Sequence, residues 1–320
     1  MERKSTSKWY DKFCSEHGAD LPLFFHGWYL DAVCGDGLWG AAAYTKDQQV
    51  LAIWPYYMKS KYGLSYITMP SLTPYLGPWI PDLKAQKNHK RYGYEHAAIT
   101  QLCEDLPSVH FSTIHTHPDL DNLLAARWKG HQEKTRYTYR LALGDPDEIW
   151  NGISDKQRNT IRKAQSTLTV SESDDIDLFY TFNKKSFKRQ GLQIPYSHEL
   201  IKNLDQALSM RSQRTMLVAK DQSNNVHGMI YLAYDQQTVY LLAIGSDPQW
   251  RSDGSIPLLI WHAIQQFSGS HLTFDFEGSM IPNIEKFFRS FGGQLTPYSR
   301  LFASKHIGVD LLLTLTGRYG

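Results

Sequence analysis

The chain has 320 residues, with 34 Lys and Arg against 32 Asp and Glu, so its formal charge is +2. At 42% hydrophobic and 21% charged it has the balance of folded domains rather than of disordered chains, and its length suggests two of them. So small a net charge excludes a nucleic-acid or membrane field over the whole surface, so such a partner would need a local patch.

The three cysteines, Cys14, Cys34 and Cys103, are odd in number and far apart. That excludes a disulfide framework and a zinc knuckle, and suits a reducing cytosol. The opening MERKSTSKWYDKF is charged and lacks the apolar stretch of a signal peptide. No run approaches the roughly 18 apolar residues of a spanning helix; the longest candidate, 309–315, is far too short. A cytoplasmic protein without stable membrane insertion is the expectation.

In chain order, a short helix is predicted at 9–17 and strands at 39–44 and 50–58. The segment ITMPSLTPYLGPWIP (67–81) has prolines at 70, 74, 78 and 81, which leave only an ordered loop or a sheet edge. A helix at 92–104 and a strand at 109–115 follow. The domain boundary is expected around Gly144-Asp145-Pro146, giving domains 1–144 and 145–320.

The second half is more regular. Ser154 followed three residues later by Gln157 forms a capping box for a helix to about 167. A strand at 168–172 precedes an amphipathic helix at 175–190, with Ile176, Phe179, Phe182 and Phe187 inward and Gly191 at its end. Ser197 caps another helix, to about 210, with Leu200, Ile201, Leu204 and Leu208 inward. Strands at 215–220, 226–234 and 238–245 come next, joined by Asp- and Asn-rich turns. The loop SDPQWRSDGS enters a helix at 256–267; then come strand 271–276, helix 283–291, strand 294–302 and a helix near 307–316.

This order resembles that of the GNAT N-acyltransferase fold. The stretches QRNTIRKAQ, VYLLAIGS, WRSDGSIPLLIWHAI and FDFEGSMIPNIEKFFRSFGG resemble the C-terminal GNAT domain of Fem-like transferases over roughly residues 150–302. These are the tandem-GNAT proteins of the methicillin-resistance (FemAB) and BioF2-like type. The resemblance implies an α/β fold of two mixed, mostly antiparallel sheets flanked by helices, the N-terminal copy being degenerate. It also implies transfer of an acyl or aminoacyl group to a primary amine of a small molecule or peptide, from acyl-CoA (acetyl-CoA) or from aminoacyl-tRNA.

The resemblance places the acyl donor on Leu242, Ala243 and Ile244, and its pyrophosphate on Arg251, Gly254 and Ser255 at a helix N-terminus, where free N–H groups favour anions. Ile256 stands where these relatives have a small residue, and Pro257 removes one donor. Asp275 and Glu277, two apart at a strand end, are expected to share a face roughly 7 Å apart and to assist amine deprotonation, Glu277 first. Tyr298 is the candidate acid for the leaving thiolate. In FFRSFGG, aligning on Phe291-Gly292 puts Phe288 where Fem-like transferases have a Lys, with Lys286 and Arg289 as flanking cations that could contact substrate.

Arg158 and Arg162 share a helix face with Lys156 and Lys163 nearby, a patch for tRNA or for acceptor phosphates, or simply a solvated face. Trp79, Trp128 and Trp250 are expected to line a substrate groove. His115, His117 and Asp119 have no further ligand at a recognisable spacing, so a metal is not expected. The expected function is acyl transfer from acyl-CoA. Its alternatives are a Fem-type aminoacyl-tRNA-dependent peptidyltransferase of cell-wall peptide synthesis and a non-catalytic binding protein, for which Ile256 is the best argument.

Overall fold

Hydrophobic periodicity decides most of the architecture seen in the computed structural model, which describes residues 7–35, 38–83, 86–250, 252–270, 272–278 and 280–304. The chain forms two compact units. One is Met1–Arg136 with Pro297–Gly320, the other Tyr137–Thr296. The expected boundary at 144 therefore moves to 136, and the C-terminal segment returns to the first unit. The expected helix near 307–316 lies outside the described residues.

The first unit contains α1 (Ser7–His17), α2 (Gly27–Val33), β1 (Leu38–Lys46), β2 (Gln49–Lys61), β3 (Leu64–Thr68), α3 (Asn88–Asp105), β4 (Phe111–His115), α4 (Leu124–Trp128) and the start of β5 (Gln132–Ala142). Strands β1 to β3 form an antiparallel meander, and β4 adds to β3 in parallel. Ile67 and Thr68 of the proline-rich segment close β3, inside the sheet rather than at its edge, and the rest is the expected ordered loop, whose Trp79 exchanges backbone hydrogen bonds with Ile53. The core joins Ala52 and Trp54 of β2 to Ala98, Ile99 and Leu102 of α3.

The second unit continues from β5 through α5 (Pro146–Gly152), α6 (Asp155–Gln165), β6 (Leu168–Glu172), α7 (Ile176–Arg189), α8 (His198–Ser209), β7 (Arg214–Asp221), β8 (Val226–Tyr234), β9 (Thr238–Ser246), α9 (Ser255–Phe267), β10 (Thr273–Asp275) and α10 (Pro282–Arg289), and enters β11 (Gln294–Ser304). Beyond residue 297, β11 pairs antiparallel with β4 of the first unit, which is why the C-terminal segment belongs there. The capping box forms as read, with Ser154 Oγ accepting from Gln157 N–H. Asp175 and Ser197 cap α7 and α8 in the same way.

In the second unit the strands lie in the order β5-β10-β9-β8-β7-β6. β10 and β9 run parallel, and the other neighbours run antiparallel. β8 is buried on both faces, which is why VHGMIYLAY reads as a continuous apolar run rather than an alternating one. α6 and α9 seal one face, with Ile161 and Ala164 of α6 packed among Leu258, Leu259 and Ile264 of α9. On the other side α7 and α8 carry Phe179, Ile201 and Leu204, and the Phe179 ring meets Tyr231 of β8. Among the described residues no helix is long and apolar enough to cross a membrane.

Two of the unit's glycines are fixed by close backbone approach. Gly278, with φ 58°, rests on β5: a Cβ there would lie 2.6 Å from Thr138 Cα and closer still to the Tyr137 carbonyl oxygen. Gly292, with φ 82°, would clash with the Gly152 carbonyl at 2.7 Å. Gly278→Ala combines a left-handed backbone with a collision against backbone, neither of which can relax cheaply. We expect it to lower stability by about 3 kcal/mol, read as a lower urea midpoint at unchanged slope.

Candidate active site

The site is set by a strand that stops early. β10 pairs with β9 only over Thr273–Thr238, Phe274–Val239 and Asp275–Tyr240, after which β9 runs on to Ser246. From Leu241 onward the edge of β9 facing β10 therefore has no strand partner among the described residues. The pairing with β8 shifts between Tyr231 and Leu232, so that Leu242 is the extra residue between Leu241 and Ala243. Such a bulge re-aims backbone groups beside the opening. Leu242, Ala243 and Ile244, expected to hold an acyl donor, are thus the residues at the gap.

Asp275 closes β10 and is 1% exposed. Its carboxylate accepts the Thr138 hydroxyl at 2.6 Å and the Glu277 N–H at 2.8 Å, and faces the Arg140 guanidinium at 3.9 Å. The shared strand face expected for Asp275 and Glu277 does not form. The strand ends at Asp275, and Glu277 has φ 56°, outside the extended region in which alternation applies. Asp275 is instead the anchor of the turn that presents Glu277.

Glu277 is half-buried, but its Oε1 is fully enclosed and has no hydrogen-bond partner among the described residues. Burial pushes its carboxyl well above the ordinary carboxylate range, and the nearby Asp275 charge pushes the same way. The negative charge of Glu277 also reaches Tyr196, whose phenol is raised first by burial, then by Tyr180 and Glu277. Tyr196 donates to Asn183 Oδ1 at 2.5 Å, and Asn183 Nδ2 donates to the Ile244 carbonyl at 2.7 Å. Ser186, one turn further along α7, bonds to Ser246 N–H at 2.8 Å. The chain of bonds ties α7 to the open end of β9.

The sequence reading missed Asn183, Ser186 and Tyr196. Phe187 was expected inward, but the buried stripe of α7 is Phe179, Phe182, Asn183 and Ser186. Two polar residues at i, i+4 and i, i+7 on an otherwise apolar stripe were the available signal. Thr138 and Arg140 were missed because β5 was not predicted at all.

The expected phosphate loop is built differently from a simple anion cradle. Arg251 lies outside the described residues. Gly254, not Ser255, is the N-cap of α9, with φ 81°, and a Cβ there would press on Thr160 of α6 at 3.0 Å. Ser255 is the first helical residue, and its N–H is taken by Asp253 Oδ1 at 2.8 Å. Pro257 has no N–H and Leu258 N–H bonds back to Gly254, so of the N–H groups of residues 255–258 only that of Ile256 has no partner among the described residues. Asp253 also pairs with His227 Nδ1 at 2.5 Å, while Asp221 faces Nε2 at 3.3 Å. Trp250 stacks on that imidazole at 4.1 Å and 9°. It covers His227 rather than standing open as a stacking platform. The Ile256 side chain turns inward over Gly228, where a Cβ would lie 2.8 Å from its Cδ1, so it does not crowd the loop.

The remaining predicted residues are placed as follows. Arg158 pairs with Asp155, and Arg162 bonds to Asn159 and lies over Trp150. Lys156, Arg162 and Lys163 are exposed. Phe288 is buried in the core, Lys286 is exposed, and Arg289 bonds to Glu285, which also accepts from Tyr139. Tyr298 belongs to the first unit, where its hydroxyl accepts from Arg136 Nε at 3.3 Å. Trp79 is a core residue, 8% exposed and edge-on to Phe13, not groove lining; Trp128 is exposed beside His96. His117 contacts Asp119.

Residues 153–281 match the acetyltransferase (GNAT) domain family. No curated protein matches the chain in sequence. Among solved structures the chain is similar to FemX, at 13% identity over 91% of this chain and 94% of that one, with a TM-score of 0.61. It is also similar to L-PGS from Bacillus licheniformis, at 9% identity over 96% and 95%, with a TM-score of 0.53. At these identities the likeness is one of fold.

A carboxyl raised by burial stabilises the folded state fully only below its unfolded value, about 4.3, and that contribution is lost as pH rises toward the folded value. Glu277→Gln should therefore melt at a higher temperature than the native protein at pH 7, with the gap closing as pH falls to about 4. Equal melting at both pH values would show that the carboxyl is not desolvated.

Proposed function

We propose, from the premise that residues 153–281 are a GNAT domain within a Fem-like tandem-GNAT fold, that this protein transfers an acyl group to a primary amine at the gap beside β9. The enclosed Oε1 of Glu277, two residues past the end of β10 and without a hydrogen-bond partner among the described residues, carries the reading. The amine lone pair attacks the donor carbonyl carbon and the C–N bond forms. Backbone groups of Leu242 and Ala243 on the open edge orient the acyl group. Glu277, a stronger base than an exposed carboxylate, takes the proton from the amine nitrogen, directly or through one water. The carbon–leaving-group bond then breaks, and the same proton passes to the departing atom, which balances the reaction. Asp275 acts by holding the Glu277 turn, and Asn183 by fixing the Ile244 carbonyl. Positioning supplies much of the rate in such a site.

The donor in this reading is acyl-CoA, with its phosphates near 252–256. One observation favours a second reading with aminoacyl-tRNA as donor: the first turn of α9 keeps one N–H without a partner among the described residues, and the Asp253 carboxylate stands beside it. The exposed Lys156, Arg162 and Lys163 are the basic groups that a tRNA would meet.

Thermal unfolding with CoA and a panel of acyl-CoAs separates the two. Ligand at 100 times its dissociation constant adds about 2.7 kcal/mol, a shift of a few degrees. A shift supports acyl-CoA; none at millimolar CoA, with salt-sensitive tRNA binding, supports the second donor. With either donor, Glu277→Gln should lower the transfer rate at pH 7 by about 100-fold or more and leave donor binding unchanged. A native rate in that variant would remove Glu277 as the base.

A further inference from the structure

The first unit holds a second constellation that the transfer chemistry does not use. Tyr298 and Arg300 lie two apart on β11, and Arg300 stands directly across from His115 of β4. The Tyr298 ring is held edge-on by Tyr75 at 5.2 Å and by His115 at 5.7 Å. Arg136 of β5 donates from Nε to the Tyr298 hydroxyl at 3.3 Å. That uses one of five guanidinium N–H groups, and the terminal nitrogens of Arg136 have no partner among the described residues. Arg300 is braced by its Nε bond to Thr113 at 3.0 Å.

The electrostatics agree with this geometry. His115 is pushed down to about 4, first by burial and then by the positive charges of Arg136 and Arg300, against a smaller opposing effect of the Pro74 carbonyl. Both charged side chains acting on that imidazole are cations, so the cluster is a half-buried positive spot around a neutral ring. A guanidinium with its fork open, held in place through Nε, is suited to paired hydrogen bonds with two oxygens of one anion.

We propose that Arg136, with Tyr298 and His115 positioning it and Arg300 adding charge, forms a binding site of the first unit for an oxyanion, a carboxylate or a phosphate. Tyr298 then serves anion binding rather than leaving-group protonation. The proposal does not depend on the transferase reading.

The test is titration of the full chain with inorganic phosphate and, separately, with acetate, at constant ionic strength set by chloride and followed by calorimetry. Saturable single-site binding is expected, and the tighter of the two arms identifies the anion class. Arg136→Gln should weaken it tenfold or more, while Lys12→Gln, an exposed cation on α1, should bind as the native protein does. If Arg136→Gln does not fold, Arg136→Lys, which keeps the charge and loses the fork, should still weaken binding several-fold. Absence of binding to either anion, or native binding in the Arg136 variants, overturns the proposal. Turnover is not needed for the readout, so failure here leaves the Glu277 assignment standing, and failure of that assignment leaves this test valid.

Discussion

The second unit depends on where two parallel strands stop pairing. Had β10 continued beside β9, its backbone would have taken the hydrogen bonds of residues 241–246, and no edge would remain for a substrate. The stop is enforced by side-chain chemistry. Asp275 Oδ1 accepts both the Thr138 hydroxyl from β5 and the Glu277 N–H, so the backbone leaves the strand direction at that residue. Gly278 then passes against β5 at a distance that admits no Cβ. A buried carboxylate with three partners, followed by a glycine, is thus what terminates the sheet pairing.

The same arrangement explains how a second carboxylate survives there without a partner. An enclosed anion is costly unless paired. The Thr138 hydroxyl and the Glu277 N–H go to Asp275, and burial leaves Glu277 to hold a proton more tightly than an exposed glutamate would. Two acids two residues apart in sequence consequently have opposite tasks: one is pinned as structure, the other is left chemically available. α7 contributes to the other wall, since Asn183 and Ser186 occupy backbone groups of β9 that an unbraced strand end would leave loose.

Much of this was legible because it rests on periodicity and caps. The Ser154, Asp175 and Ser197 caps, the β6 to β9 order and the buried run of β8 are local signals that tertiary context reinforced. β5 was not legible: QEKTRYTYRLA buries fully only Thr138 and Tyr139, so its alternation is hidden among exposed charges. Its loss from the reading also concealed Arg136, Thr138 and Arg140, and moved the boundary by several residues. The geometry of Asp275 and Glu277 was not legible, because positive φ at a non-glycine residue leaves no trace in composition. Trp79 and Trp250 show the opposite error, in which aromatic character was read as lining although one is core and the other covers a histidine.

The fit of Ile256 over Gly228 has a consequence for how this chain can change. A small residue at 256 alone would leave a void above β8, and an isoleucine-to-alanine change of that kind costs about 2–5 kcal/mol. A side chain added at 228 alone meets the isoleucine and must displace it. Neither substitution is tolerable without the other, so the two positions are coupled across a strand and a helix that lie 28 residues apart in sequence (256 − 228). The Gly228–Ile256 contact thus joins the start of α9 to the face of β8 beneath it, and the two positions constrain each other's size.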